Sequence, residues 1–249
     1  MRVLVTRPQP AAAALAGRLA ALGHEVLVAP LLSIVPEIHA GERLAQALVD
    51  AQAVLFTSVN GVEAFAAATG RRDPRVFAVG DATARAARAA GFAEVETAGG
   101  DVASLVALVR ARATPGAGAL IHARGSDVAG DLAGDLAAAG LTLSRIALYR
   151  AIPVEMLEAT VIAAFRQGRI DAALFFSPRT AAAFVRLARA AGIEGDCAAV
   201  AAVALSPAVG AELGALSWRR LLTAKEPTES AALDVLAHLA ADARADQDR

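Results

Sequence analysis

Residues 54–70 read VLFTSVNGVEAFAAATG, and residues 173–189 read ALFFSPRTAAAFVRLAR. Each stretch opens with a short apolar run, breaks at a serine and continues into an alanine-rich segment with helical spacing. A serine directly before such a segment marks a helix start, because its hydroxyl accepts a hydrogen bond from a free N–H of the first turn. The order strand, serine, helix therefore occurs twice, with Ser58 and Ser177 in equivalent places.

The repetition extends beyond this pair. AGRLAALGHEV from Ala16 matches AGDLAAAGLTL from Ala133, and Pro36 and Pro153 share that offset. GDATARAARAAGF from Gly80 aligns with SPAVGAELGALSW from Ser206, and TAGGDVASL with TAKEPTESA continues the register. Gly23 pairs with Gly140 and Phe65 with Phe184. The chain reads as two copies of one half, which predicts two similar domains joined near Pro36 and Pro153.

Within the copies, apolar runs of four to seven residues alternate with amphipathic alanine-rich segments, the pattern of an α/β protein. Strands are predicted at 3–6, 26–29, 54–57, 76–79, 94–97, 120–123, 143–148, 173–176, 200–205 and 221–223. Most are apolar on both faces, so the sheets should be parallel and covered by helices on both sides.

Composition narrows the function. A chain of 249 residues with 56% hydrophobic and 20% charged residues buries a sizeable core in one large or two small domains. A formal net charge of −1 offers no overall basic surface for nucleic acid, so an anionic ligand must be held by local groups. The single cysteine, Cys197, allows no intrachain disulfide and reads as a small buried hydrophobe in a reducing compartment. The amino terminus carries no signal-peptide core, and no apolar stretch approaches about 18 residues. A cytoplasmic protein without membrane association is expected.

In an open α/β sheet, ligands bind at the carboxyl ends of the strands, where the N-terminal N–H groups of the next helix attract carboxylates or phosphates. Ser58, Ser177, Asp81 and Ser206 follow strands in this way, and each is also a plain candidate for helix capping. Arg7, Arg124 and Arg179 sit at strand ends, where their forked donors suit carboxylates. There is no GxxxxGKS/T loop, no GxGxxG after the first strand and no HExxH, and the histidines (His24, His39, His122, His238) are scattered. His122 ends a strand and reads as structural or facing a cleft.

At this point the sequence resembles the uroporphyrinogen-III synthase family, over nearly its whole length. The resemblance rests on an ordered set of motifs: VLVTRP, GHEVLVAPLLSI, LFTSVNGVEAF, FAVGDATA, LIHARGSDVAGDLAGDLAAAG, LSRIALYRAIP, FFSPRTAAAF, ALSPAVGAELG and TAKEPTESAAL. It implies two flavodoxin-like domains, interleaved and joined by a two-strand linker. Residues 1–33 with 155–249 would form one and 37–149 the other, with crossings at 34–36 and 150–154 and a substrate cleft between.

The implied reaction cyclises linear hydroxymethylbilane to uroporphyrinogen III, with loss of water and inversion of the last pyrrole ring, in heme, siroheme and cobalamin biosynthesis. The family uses no metal and no cofactor. An electron-rich pyrrole expels the hydroxyl to give an azafulvene, and closure passes through a spiro intermediate, so the protein's work is positioning with modest acid assistance. Tyr149, the only tyrosine, matches the tyrosine thought to assist departure of the hydroxyl. Ser58, Thr83 and Ser177 match positions with hydroxyls near the cleft, and Arg7, Asn60, Gly61, Arg124, Arg179, Thr180 and Ser206 complete the expected substrate-binding set. Where relatives often carry a threonine after SP or GP in the last motif, this chain has Ala208 and Val209, so that hydroxyl's role is absent or falls to Ser206. A monomer is expected. The alternative is a two-domain binding or sensor protein that closes on an anionic small molecule without turning it over.

Overall fold

The computed structural model describes residues 1–126 and 132–247. The chain begins with β1 (Arg2–Val5), α1 (Ala11–Ala21), β2 (Glu25–Val28) and β3 (Leu32–Pro36). It continues through α2 (Ala40–Ala47), β4 (Ala51–Phe56), α3 (Val59–Ala68), β5 (Val76–Ala78), α4 (Asp81–Ala89), β6 (Val95–Thr97), α5 (Val102–Arg112), β7 (Ala119–Gly125), α6 (Leu132–Ala137) and β8 (Leu143–Pro153). It ends with α7 (Ala159–Arg166), β9 (Ala172–Phe175), α8 (Pro178–Ala190), β10 (Ala201–Ala204), α9 (Pro207–Leu213), β11 (Arg220–Thr223) and α10 (Glu229–Gln247). Residues 127–131, inside the LIHARGSDVAGDLAGDLAAAG motif, lie outside the described residues.

Two compact units result, Met1–Ser33 with Ile152–Arg249 and Ile34–Ala151. The first holds a sheet ordered β11-β10-β9-β1-β2, the second a sheet ordered β3-β8-β7-β4-β5-β6. The repeat offsets equate β1 and β2 with β7 and β8, and β4, β5 and β6 with β9, β10 and β11. With those equivalences the two sheets have the same order, the flavodoxin-type arrangement. The five-stranded sheet takes β1 and β2 from the first copy of the repeat and β9 to β11 from the second, and the six-stranded sheet takes β3 to β6 from the first and β7 and β8 from the second, so a copy in sequence is not a unit in space.

The pairings of β1 with β2 and β9, of β10 with β9 and β11, of β4 with β5 and β7, of β5 with β6 and of β7 with β8 are parallel. The β3–β8 pair runs the other way. Glu37 N–H donates to Leu148 O at 2.9 Å and Val154 N–H to Leu31 O at 3.0 Å, so numbering rises on one strand as it falls on the other. The stretch expected only as a crossing, Ile34 to Pro36, is thus part of a strand, and β8 continues through the second crossing to Pro153.

Alternation along the strands feeds two apolar layers per sheet. In the first unit Leu4, Ala173, Phe175 and Ala202 meet α7, α8 and α9, while Val3, Val5, Leu174 and Val203 meet α1 and α10. In the second, Val54, Phe56, Ile121 and Ala123 meet α2, α3 and α4, while Leu55, Phe77 and Leu120 meet α5 and α6. Central strands covered on both sides explain the unbroken apolar runs. No helix among the described residues is long and apolar enough to cross a membrane.

Candidate functional site

In the second unit the register sets the carboxyl ends of β4 and β7 level with Tyr149 on β8. Phe56 ends β4 opposite Ala123 of β7, and Gly125 ends β7 opposite Tyr149 of β8. Ser58 therefore falls level with Gly125 and Tyr149. It caps α3, its Oγ accepting from Gly61 N–H at 3.1 Å. That Oγ also lies 3.2 Å from the Tyr149 hydroxyl, close enough for either to donate.

A bulge brings the phenol to this face. On β8, Ile146 and Leu148 pack on the α2–α3–α4 side, and simple alternation would turn Tyr149 to the opposite side. The register instead steps from Arg124 opposite Ala147 to Gly125 opposite Tyr149, leaving Leu148 as an extra residue. Tyr149 joins the same layer as Leu148, a bulge re-aiming a side chain. The ring is 6% exposed.

Two glycines make room. A Cβ on Gly125 would stand 2.9 Å from Tyr149 Cε2 and 3.0 Å from Cζ. A Cβ on Gly61 would stand 2.8 Å from Ala123 O, so Gly61 lets the first turn of α3 lie against β7. Gly61 belongs to the expected set through its motif, whereas Gly125 does not; its signal is an isolated glycine ending an apolar strand run, the mark of a bulge or close approach.

The other expected residues of this unit lie nearby in sequence and level. Asn60 is partly buried in the first turn of α3. Thr83 is also in a first turn, that of α4, but is only 4% exposed and packs inward. Gly80, not Asp81, occupies the cap position of that helix. Arg124 turns back along its own strand end, its Nε donating to Gly125 O at 2.9 Å and Nη2 to Ser126 O at 3.0 Å.

His122 does not face solvent. It is 4% exposed, its Nε2 lies 3.1 Å from Thr57 Oγ1, and its Nδ1 has no hydrogen-bond partner among the described residues. Burial first, then the neighbouring charges of Arg124 and Arg145, push its pKa down from 6.5 to about 4, so it is neutral near pH 7.

In the first unit, Ser177 caps α8, accepting from Thr180 N–H at 3.1 Å with Thr180 Oγ1 2.8 Å away. Pro178 occupies the first helical turn, where its missing N–H costs nothing. Thr180 is buried and Arg179 exposed. Ser206 stands at the cap position of α9 without a side-chain capping bond. Arg7 is engaged: it pairs with Glu229, which also holds Arg18, and its guanidinium lies 4.5 Å from the centre of the Phe176 ring.

The expected residues thus gather at the carboxyl ends of their sheets, Ser58, Asn60, Gly61, Thr83, Arg124 and Tyr149 in one unit and Arg7, Ser177, Arg179, Thr180 and Ser206 in the other. Among the described residues no group of three or more His, Cys, Asp or Glu side chains is placed to hold a metal ion. The second unit's edge offers a buried phenol, a hydroxyl in contact with it and a helix N-terminus. That set can donate a proton and hold an anion.

Comparison with known structures finds the same fold in uroporphyrinogen-III synthetase from Helicobacter pylori 26695, with a TM-score of 0.61 and 16% identity over 96% of this chain and 100% of that one. A mutant uroporphyrinogen III synthase from the extremely thermophilic bacterium Thermus thermophilus matches with a TM-score of 0.54 and 18% identity over 97% of this chain and 99% of that one. No curated protein sequence matches. The family model described as uroporphyrinogen-III synthase HemD matches residues 13–234, and the chain belongs to that family.

Proposed function

We propose that this chain cyclises hydroxymethylbilane to uroporphyrinogen III, inverting the last pyrrole ring, with Tyr149 assisting loss of the hydroxyl. The family match across residues 13–234 carries the reaction. The role of Tyr149 is supported by its place beside Ser58 at the sheet edge.

A neutral phenol suits a leaving hydroxide, since it donates a proton or a hydrogen bond at pH 7. The pyrrole nitrogen supplies the electrons that expel the hydroxyl, so the phenol contributes the modest remainder of the push. The substrate's carboxylates meet the N-terminal turns of the helices. In the second unit these are Asn60 and Gly61 on α3, with Arg124 beside them. In the first, the corresponding turns are the starts of α8, at Ser177 and Arg179, and of α9, at Ser206, while Arg7 is held by Glu229 and Thr180 is buried. Backbone N–H groups carry much of this binding, with the hydroxyls organising them.

Incubating the chain with hydroxymethylbilane and separating the isomers tests this reading. The expected product is the type III isomer, formed faster than spontaneous closure. Slow appearance of type I alone, with the bilane protected, would identify a binder and end the proposal.

A further inference from the structure

We propose that Ser58 is a positioning residue that acts on the reaction through Tyr149, as a rotating hydroxyl that donates to the phenol oxygen once the phenol has given up its proton. This rests on the reading of Tyr149 as the acid.

Ser58 Oγ has one proton and two lone pairs. Gly61 N–H occupies one lone pair at 3.1 Å, which pins the oxygen at the start of α3 while leaving the hydroxyl hydrogen free to turn. Among the described residues, its other hydrogen-bond neighbour is the Tyr149 hydroxyl, at 3.2 Å. Before the reaction the pair can bond in either sense. After proton transfer the phenolate only accepts, so Ser58 must be the donor, and that bond becomes charge-assisted.

The surroundings make the switch effective. Tyr149 is 6% exposed, so water does little to stabilise a phenolate there. The N-terminal end of α3 adds partial positive charge beside the same oxygen. The ring has no room to withdraw from Ser58 toward Gly125, whose missing Cβ it already fills. A donor fixed in advance against developing charge lowers a barrier without reorganising.

The step balances. The phenol O–H bond breaks and its proton passes to the hydroxymethyl oxygen. The C–O bond breaks with its electron pair, releasing water, and the pyrrole nitrogen lone pair fills the carbon. The phenolate regains the proton that the attacking pyrrole carbon sheds as that pyrrole ring regains its aromaticity after ring closure.

The test is a kinetic cycle of Ser58→Ala, Tyr149→Phe and the double variant, using hydroxymethylbilane. Ser58→Ala should lower kcat about tenfold, the lower end for a hydrogen bond to a charged group, with KM unchanged. In the Tyr149→Phe background it should change nothing further, and Ser58→Thr should restore most of the rate. If Ser58→Ala folds poorly, Ser58→Gly removes the hydroxyl while keeping a good helix start. Because Tyr149 is the only tyrosine, tyrosine labelled at the hydroxyl-bearing ring carbon gives a single resonance, which should move in Ser58→Ala without substrate. An equal loss in both backgrounds, or a raised KM at unchanged kcat, would make Ser58 a substrate ligand and overturn the proposal. Wild-type kcat in Tyr149→Phe would instead remove the acid and with it both readings.

Discussion

Gly125 and Tyr149 face each other across neighbouring strands with no space for a methyl group between them, since a Cβ on Gly125 would lie 2.9 Å from Cε2 of the ring. Gly125→Ala should therefore displace the phenol. Overpacking of this kind costs about 1–3 kcal/mol of stability. Activity should fall with it, because the 3.2 Å contact with Ser58 lengthens. Denaturant unfolding and steady-state kinetics check both, and an unaltered kcat would show that the ring's place is not critical.

Tyr149→Phe keeps the ring in the apolar layer and removes only the hydroxyl. Its kcat should drop about 10- to 10³-fold, at or below the usual range for general acid catalysis because the pyrrole does most of the work. The product should remain type III, with type I rising only as spontaneous closure competes. Type I formed by the variant itself, above the spontaneous rate, would instead assign the phenol to placing the last ring.

His122 predicts a dependence on acid. Its folded pKa is depressed from 6.5 to about 4 by burial and by the charges of Arg124 and Arg145. Between those values the unfolded chain binds a proton that the folded chain does not, so stability rises with pH across the window and falls on acidification through it. At about 1.4 kcal/mol per unit, the full effect is about 3 kcal/mol. Unfolding titrations from pH 7 to 4 should show the slope, and His122→Gln should flatten it. A slope that persists in the variant would place its origin elsewhere.

Arg72 closes two helix ends at once. It donates to Ala66 O and Thr69 O at the end of α3, to Ala90 O at the end of α4 and to Arg71 O, with its guanidinium 5.4 Å from the centre of the Phe92 ring. Arg72→Met keeps the stem and removes every donor, leaving several terminal carbonyls without this partner. A loss of about 2–4 kcal/mol is expected, with kcat/KM unchanged for the folded fraction. Chemical denaturation measures it.

The alternation of apolar runs and amphipathic segments made the α/β layers legible, because strands buried on both faces cannot carry polar residues. Ser58 and Ser177 were legible as helix starts for an equally local reason. β3 was not, since LSIVP contains a proline and gains its partner only from β8, more than a hundred residues away. The face that Tyr149 presents was hidden too. It depends on an extra residue at Leu148, and a bulge is a property of the pair of strands, not of either alone. Thr83 was expected near the cleft only through the resemblance of its motif, and the inward packing of that first turn of α4 was not legible.

The exchange of strands between the two sequence copies sets a timetable for synthesis. β3 to β8 are contiguous in the chain, so the second unit has its whole sheet once Pro153 has left the ribosome. Val3 pairs with Ala172, and Thr6 Oγ1 donates to Leu174 O across 168 residues. The first two strands of the protein must therefore wait, apolar and unpartnered on one side, while an entire second body emerges and folds. Such distant pairing is slow and exposes strand edges meanwhile. A chain truncated after β8 should thus yield a folded second unit trailing an unfolded amino terminus, which makes β9 to β11 the segment that rescues the beginning of the chain.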